Sequence, residues 1–149
     1  MSYLYIKDDK FDINNIIIKE YNDNLILNYK LNNIIAILKN IIFKISKNPI
    51  IIDDTFEKTK YIKIILRDKL LKNLLLVDKK ILEYSNKYNL SYNSFIKDYN
   101  NKNKYITLYL HNNIAINKFN FIDTYIMLKF KMINGKYQSR IHTYKMNII

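Results

Sequence analysis

The 149-residue sequence has no cysteine, no tryptophan, one glycine, one proline and two histidines. Without cysteine there is no disulfide framework and no thiolate metal site, which fits an intracellular location. A single glycine leaves no Gly-rich phosphate loop, so nucleoside triphosphate hydrolysis built on one is excluded. The two histidines, His111 and His142, stand 31 positions apart, without H-x-x-x-H or HEXXH spacing. No metal site and no cofactor are therefore expected. Asp53-Asp54 with Glu57 is the one acidic cluster. No E-x-K follows it, as a restriction-type nuclease would require, and a solvated turn accounts for it. Uninterrupted apolar runs such as Leu74–Val77 are too short to span a bilayer. The opening MSYLYIKDDK has an acidic pair by position 9 and no apolar h-region. No cleaved signal peptide and no membrane partner are expected.

What is present is equally marked. The chain is 49% hydrophobic with 14 Tyr and 7 Phe, a composition that folds rather than remaining disordered. Its length fits one domain, residues 1–149, with a substantial core. Ile (29), Lys (23), Asn (22) and Tyr (14) make up 88 of the 149 residues. Their codons are all rich in A and T, so an AT-rich genome inflates lysine without any functional demand. The net charge of +12 is weakened as evidence for that reason. Its distribution is stronger evidence. Residues 1–60 hold 9 basic and 8 acidic side chains, whereas residues 61–149 hold 16 and 5. Mutational drift does not sort acids to one end, and a basic half of one domain points to a one-sided positive surface.

The stretch from Phe121 to Met146 organises the rest. Asn134-Gly135 between two alternating runs is a hairpin signal, because a type I′ turn needs positive φ at both central residues. A two-residue loop pairs Ile133 with Lys136 and sets every pair beyond it. Met132/Tyr137, Phe130/Ser139, Leu128/Ile141 and Ile126/Thr143 then form the core side. Lys131/Gln138, Lys129/Arg140, Met127/His142 and Tyr125/Tyr144 form a basic, aromatic face. Lys129 opposite Arg140 is a like-charge pair, which destabilises a ladder unless an anion relieves it. The alternative is a solvated face whose long side chains bend apart. No acidic residue follows Asp123 to offset Lys129, Lys131, Lys136, Arg140 and Lys145.

Elsewhere, residues 14–31 read as a second hairpin turning at Asn22-Asp23-Asn24, with Leu25, Leu27, Tyr29 and Leu31 on one face. Residues 34–46 fit either helical or strand spacing; the β-branched isoleucines favour a strand from about Ile37 to Ile45, ended by Lys-Asn-Pro at 47–49. Pro49 to Ile52 continues as an extended piece. YIKIIL at 61–66 is a strand with Tyr61 and Lys63 outward. A helix follows from about Asp68 to Lys87 on the stripe Leu70, Leu74, Val77, Ile81 and Tyr84, widened by Leu71, Leu75 and Leu82, with Asn89 as its stop. Ser91 to Tyr99 reads as a short second helix capped by Ser91. Lys104 to Leu110 alternates, with Tyr105, Thr107 and Tyr109 outward. His111-Asn112-Asn113 reads as a turn before a short strand at Ile114–Ile116.

Strands, one long helix and further strands predict a mainly β fold. An OB-like Greek-key barrel fits, with a helix between its third and fourth strands. The alternative is an α+β fold, an open antiparallel sheet with the helix packed on it. Outward tyrosines between cations match the way single strands are held, by base stacking and phosphate pairing. The strand into a long helix, the tyrosine strand after it and the Asn-Gly-Lys-Tyr-Gln turn make residues 60–146 resemble the OB-fold single-stranded-DNA-binding proteins of large DNA viruses and short-tailed phages. The resemblance implies a non-catalytic protein that coats single strands in replication or recombination, in the host nucleus or at a cytoplasmic viral replication site. This sequence lacks the acidic tail of the phage pattern, so recruitment of replication proteins through one is in doubt.

The expected partner is thus single-stranded DNA, or RNA. Lys63, Lys129, Lys131, Lys136 and Arg140 would neutralise phosphates, Tyr105, Tyr109, Tyr125 and Tyr144 would stack, and Gln138 and His142 would donate or accept hydrogen bonds. Two rivals stand beside this. One is a protein-interaction module, a viral structural or host-targeting factor, whose basic face or unpaired sheet edges meet an acidic partner or its own copies. The other is a metal-independent phosphodiesterase in which His142, with Tyr144 and Lys145 nearby, acts as base. In regular strand geometry Lys145 points away from the other two, so a plain surface histidine is the simpler account.

Overall fold

The structure is a computed structural model that describes residues 3–31, 38–51, 59–114 and 121–149. It is mainly β, with one α-helix and one large mixed sheet among the described residues. In chain order the elements are β1 (Tyr3–Tyr5), β2 (Ile16–Tyr21), β3 (Asn24–Lys30), β4 (Leu38–Ile51), β5 (Thr59–Leu66), α1 (Asp68–Lys87), β6 (Ser91–Tyr92), β7 (Lys97–Asp98), β8 (Lys104–Ile114), β9 (Phe121–Ile133) and β10 (Lys136–Ile148).

Five of these strands close a ring. β4 pairs with β5, β5 with β8, β8 with β10, β10 with β9, and β9 returns to β4. All are antiparallel except β8 with β10. Counted along the chain, the order around the ring is first, second, third, fifth, fourth. This is OB-like closure rather than an open antiparallel sheet. The helix differs from the expectation: α1 leaves the second ring strand and leads toward the third, not from third to fourth. The β2–β3 hairpin fits into the ring where β4 and β9 diverge. There β3 pairs with β4 through Asn28↔Asn40 and with β9 through Leu25↔Phe130.

The local reasons are those of alternation and turn chemistry. Asn134 and Gly135 both take positive φ, 53° and 76°, and the β9–β10 register follows as the two-residue turn demands, from Ile133↔Lys136 to Tyr125↔Tyr144. Asn22 and Asp23 do the same for the β2–β3 hairpin. The ring interior is filled from every strand, by Phe43, Ile45, Ile62, Ile64, Ile106, Leu108, Leu110, Ile126, Phe130 and Ile141. Ser139 is exposed although its ladder partner Phe130 is buried, and Leu31 is exposed at the end of its face.

The helix spans the expected residues, Asp68–Lys87, and just beyond its Tyr88 cap Asn89 takes a φ of 56° as the left-handed stop. Its buried arc is narrower than the leucine pattern implies. Leu70, Asn73, Leu74, Val77, Ile81 and Ser85 are buried, whereas Leu75 and Leu82 face solvent. Asn73 accounts for part of this, donating from Nδ2 to the Asp8 carbonyl at 2.9 Å and so pinning that face to the N-terminal segment.

Three local readings are corrected. Lys-Asn-Pro does not end β4. Lys47 takes a φ of 50° in a bulge, Asn48 accepts from the Ser46 amide and donates to the Ile65 carbonyl, and the strand continues to Ile51. Ser91 to Tyr99 is not helical. Tyr92 and Ser94 donate to the Asp78 carboxylate, Phe95 and Ile96 enter the core, and the ends form β6 and β7 against β10 and β8. His111 to Asn113 is not a turn but the continuation of β8 to Ile114. The acidic cluster at Asp53, Asp54 and Glu57, the apolar positions 34–37, and Ile116 lie outside the described residues. No helix among the described residues is long and apolar enough to cross a membrane.

The helix facing is testable by denaturant unfolding. Leu74→Ala, at a fully buried site, is expected to cost about 2–5 kcal/mol. Leu75→Ala, one position on and exposed, is expected to change stability by less than about 0.5 kcal/mol. Equal costs would place the wrong face inward.

Candidate nucleic-acid interface

The outer surface of the ring takes every second residue of five strands, and tyrosines, histidines and cations are prominent among them, beside Thr107, Asp123, Met127 and Gln138. One row crosses the sheet by direct ladder neighbours: Tyr61 of β5 beside Tyr109 of β8, Tyr109 beside His142 of β10, and His142 beside Met127 of β9. The ring centroids are 5.5 Å apart for Tyr61 and Tyr109 and 5.7 Å for Tyr109 and His142. A second row sets Tyr144 beside Tyr125 at 6.5 Å, with Tyr5 of β1 edge-on to Tyr125 at 5.4 Å.

Cations lie over these rings. The Arg140 guanidinium carbon is 4.7 Å from the Tyr109 centroid and the Lys63 ammonium 5.4 Å from that of Tyr105. Lys44 sits 4.9 Å from the Tyr125 centroid and Lys145 5.4 Å from that of Tyr144. Each such contact contributes about 0.5–1 kcal/mol at an exposed site. That orients the cation while leaving its charge available. Lys129 lies opposite Arg140 in the ladder. Among the described residues one ion pair forms, Lys104 with Asp98 at 2.6 Å, at the far end of β8 from this cluster. The cations of the face are thus not neutralised by carboxylates within the described chain.

Of the residues predicted from sequence, Tyr109, Tyr125, Arg140, His142 and Tyr144 come together in these rows, with Lys129 across from Arg140. Lys63 and Tyr105 form a flanking pair, and Tyr105 is partly covered by Tyr99 at 6.5 Å and by β7. Lys131, Gln138 and Lys136 keep the outward parity but lie toward the Asn134-Gly135 turn, beyond the ring contacts. Sequence reasoning missed Lys44, His111 and Tyr5 and misdirected Lys145. Lys145 takes a φ of 51° in a bulge between Tyr144 and Asn147, which turns it onto Tyr144. Strand parity extended past Leu110 was the signal that would have found His111. Its ring is 6.3 Å from Tyr109 and 6.4 Å from His142. Beside Lys129 a cleft of about 280 Å³ opens where β3 enters between β4 and β9, walled by Tyr3, Tyr21, Asn40 and Met127.

His142 is held below the ordinary histidine range, first by partial burial and then by Lys129, Arg140 and His111. Folding therefore disfavours its protonated form. Between the depressed folded value and the ordinary value near 6.5, the unfolded chain binds more protons, so stability falls as pH falls through that window. Below the folded value the loss is complete. His142→Gln is expected to remove this component, and denaturant midpoints measured across that window should show a shallower slope for the variant. An unchanged slope would mean that His142 is not shifted. Compared with protein families, with curated proteins and with solved structures, the chain shows no match.

Proposed function

We propose that the outer ring face binds single-stranded nucleic acid without strong sequence preference, and that on DNA it does so without chemistry. The observation that carries this reading is the row Tyr61–Tyr109–His142 with Arg140 stacked on Tyr109 and Lys129 opposite Arg140. Bases have flat faces that stack on such rings for about 1–3 kcal/mol each, whatever their identity. Phosphates supply the negative charge that the Lys129–Arg140 pair lacks. Single strands fit this better than duplex, because a duplex hides its base faces. The outer face of the second and third strands, here β5 and β8, is also where OB-type barrels accept oligonucleotides. Coating of viral DNA during replication or recombination is the role that the family resemblance would assign.

The test is fluorescence anisotropy with a labelled oligo-dT and a duplex of equal length, titrated with salt. The wild type is expected to prefer the single strand, with log K falling by roughly 0.7 per phosphate contacted for each unit of log salt. Lys129→Glu with Arg140→Glu should lower affinity by at least about 100-fold and flatten the salt slope by about two phosphates. Tyr109→Ala should weaken binding by about 1–3 kcal/mol. Circular dichroism guards against unfolding. Affinity that survives the double charge reversal would move the site elsewhere; equal, weak binding to both nucleic acids would reduce the charge to composition.

A further inference from the structure

The two histidines of the sequence are the chain's only imidazoles, and the fold brings them to one spot on the basic face. β8 and β10 run parallel there, with Tyr109 beside His142 and His111 two positions further along the same face. Their ring centroids are 6.4 Å apart with an interplanar angle of 39°. Tyr109 touches both rings and also carries the Arg140 guanidinium. Lys129 closes the group from β9. His111 is exposed and His142 half-buried, so a bound strand can reach both.

We propose that this group is a catalytic site for RNA, in which His142 and His111 act as base and acid in cleavage of a phosphodiester beside a 2′-hydroxyl. The inference rests on the nucleic-acid reading above and adds to it what happens when the bound strand is RNA. His142 Nδ1 or Nε2 takes the proton of the 2′-hydroxyl. The 2′-oxygen forms a bond to phosphorus, and the bond from phosphorus to the 5′-oxygen of the next nucleotide breaks. His111, acting as the acid, gives a proton to that leaving oxygen. The products are a 2′,3′-cyclic phosphate and a 5′-hydroxyl, and solvent restores both histidines. DNA has no 2′-hydroxyl and is held intact.

The chemistry needs three things that the face provides. An acid and a base must each come within about 2.6–3.2 Å of a different oxygen of one phosphodiester. Two rings 6.4 Å apart, with Tyr109 edge-on beside both, can straddle such a group. The base must be neutral near pH 7, and burial together with Lys129, Arg140 and His111 keeps His142 so; the other titratable groups on its own and the two neighbouring strands are Lys104, Tyr105 and Tyr109 on β8, Asp123, Tyr125 and Lys131 on β9, and Lys136, Tyr137, Tyr144 and Lys145 on β10. The added charge on the phosphoryl oxygens in the transition state needs fixed cations, and Lys129 and Arg140 supply them.

The experiment compares an all-deoxy oligonucleotide with the same sequence carrying one internal ribonucleotide, using the 149-residue protein in excess and EDTA present. Anisotropy reports binding, and gel electrophoresis with end-group analysis reports cleavage. Binding of both strands is expected, with scission only at the ribonucleotide and a cyclic phosphate at the new end. The single-turnover rate at saturating protein should fall on the acid side as His142 takes up a proton. His142→Ala should lower it at least about 100-fold and remove that acid limb, and His111→Ala should lower it by a similar factor. His111→Gln and His142→Gln serve as second variants if an alanine variant unfolds. Binding of both strands with the ribonucleotide intact overturns this inference and leaves the binding reading standing. Cleavage unchanged in both histidine variants also overturns it, since the activity then belongs to another protein. Failure to bind either strand removes both readings.

Discussion

The register of the β9–β10 hairpin is the constraint on which the remaining structure depends. Asn134 and Gly135 both adopt positive φ, which permits a two-residue turn and fixes Ile133 against Lys136. Side chains alternate with period two, so a slip of one residue would turn Phe130, Leu128 and Ile126 outward and bring Lys129, Lys131 and Tyr125 in. Burying those ammonium groups unpaired would cost far more than the turn contributes. The correct register then propagates. β9 offers Ile122, Thr124 and Ile126 to β4, and β10 offers Ile141 and Thr143 to β8. Through these two contacts a hairpin becomes two neighbouring members of a closed ring.

Ring closure also explains the skewed charge. Four of the five ring strands, β5, β8, β9 and β10, come almost wholly from the basic part of the sequence, and β4 alone comes from the balanced part. The acids of the first part that lie among the described residues are on other elements: Asp8, Asp9 and Asp12 precede β2, and Glu20 and Asp23 sit at the β2–β3 turn. A chain whose lysines were scattered by drift alone would still have a positive total. Here Lys44, Lys63, Lys129 and Arg140 share the outer side of one ring, among its tyrosines.

Short-range physics was readable from sequence, and long-range pairing was not. The Asn-Gly turn, the alternation of YIKIIL and KYITLYL, and the helix from Asp68 to Lys87 have local causes, and they stand where the local causes put them. The β9–β4 and β8–β10 pairings join segments far apart in the chain and leave no local signature, so closure could be argued only from element order. The same limit hid His111, which looked like a turn residue because Asn-Asn follows it. Tertiary pairing with β5 keeps that segment extended. Ser91 to Tyr99 failed for a related reason. Ser91 suits a helix cap in isolation, but Asp78 on α1 draws the Tyr92 and Ser94 hydroxyls and holds the segment open.

Composition and fold can also be separated residue by residue. A chain with one glycine still needs left-handed backbone positions, and Asn22, Asp23, Asn89 and Asn134 fill four of them. Asparagine and aspartate tolerate that region because a short polar side chain can bond locally. The asparagine excess is thus put to structural use. Lysine is in similar surplus, but arginine is not: there are two in the chain. Arg67 donates to the Lys47 carbonyl at 2.7 Å, bracing the β4 bulge. Arg140 reaches from β10 over the Tyr109 ring of β8, its guanidinium carbon 4.7 Å from the centroid. A planar guanidinium can stack on a ring and still present its edge to a phosphate, which an ammonium cannot. An abundance of lysine says little about function, but one of two arginines placed on the Tyr109 ring of the outer face supports the proposal that this face meets an anion.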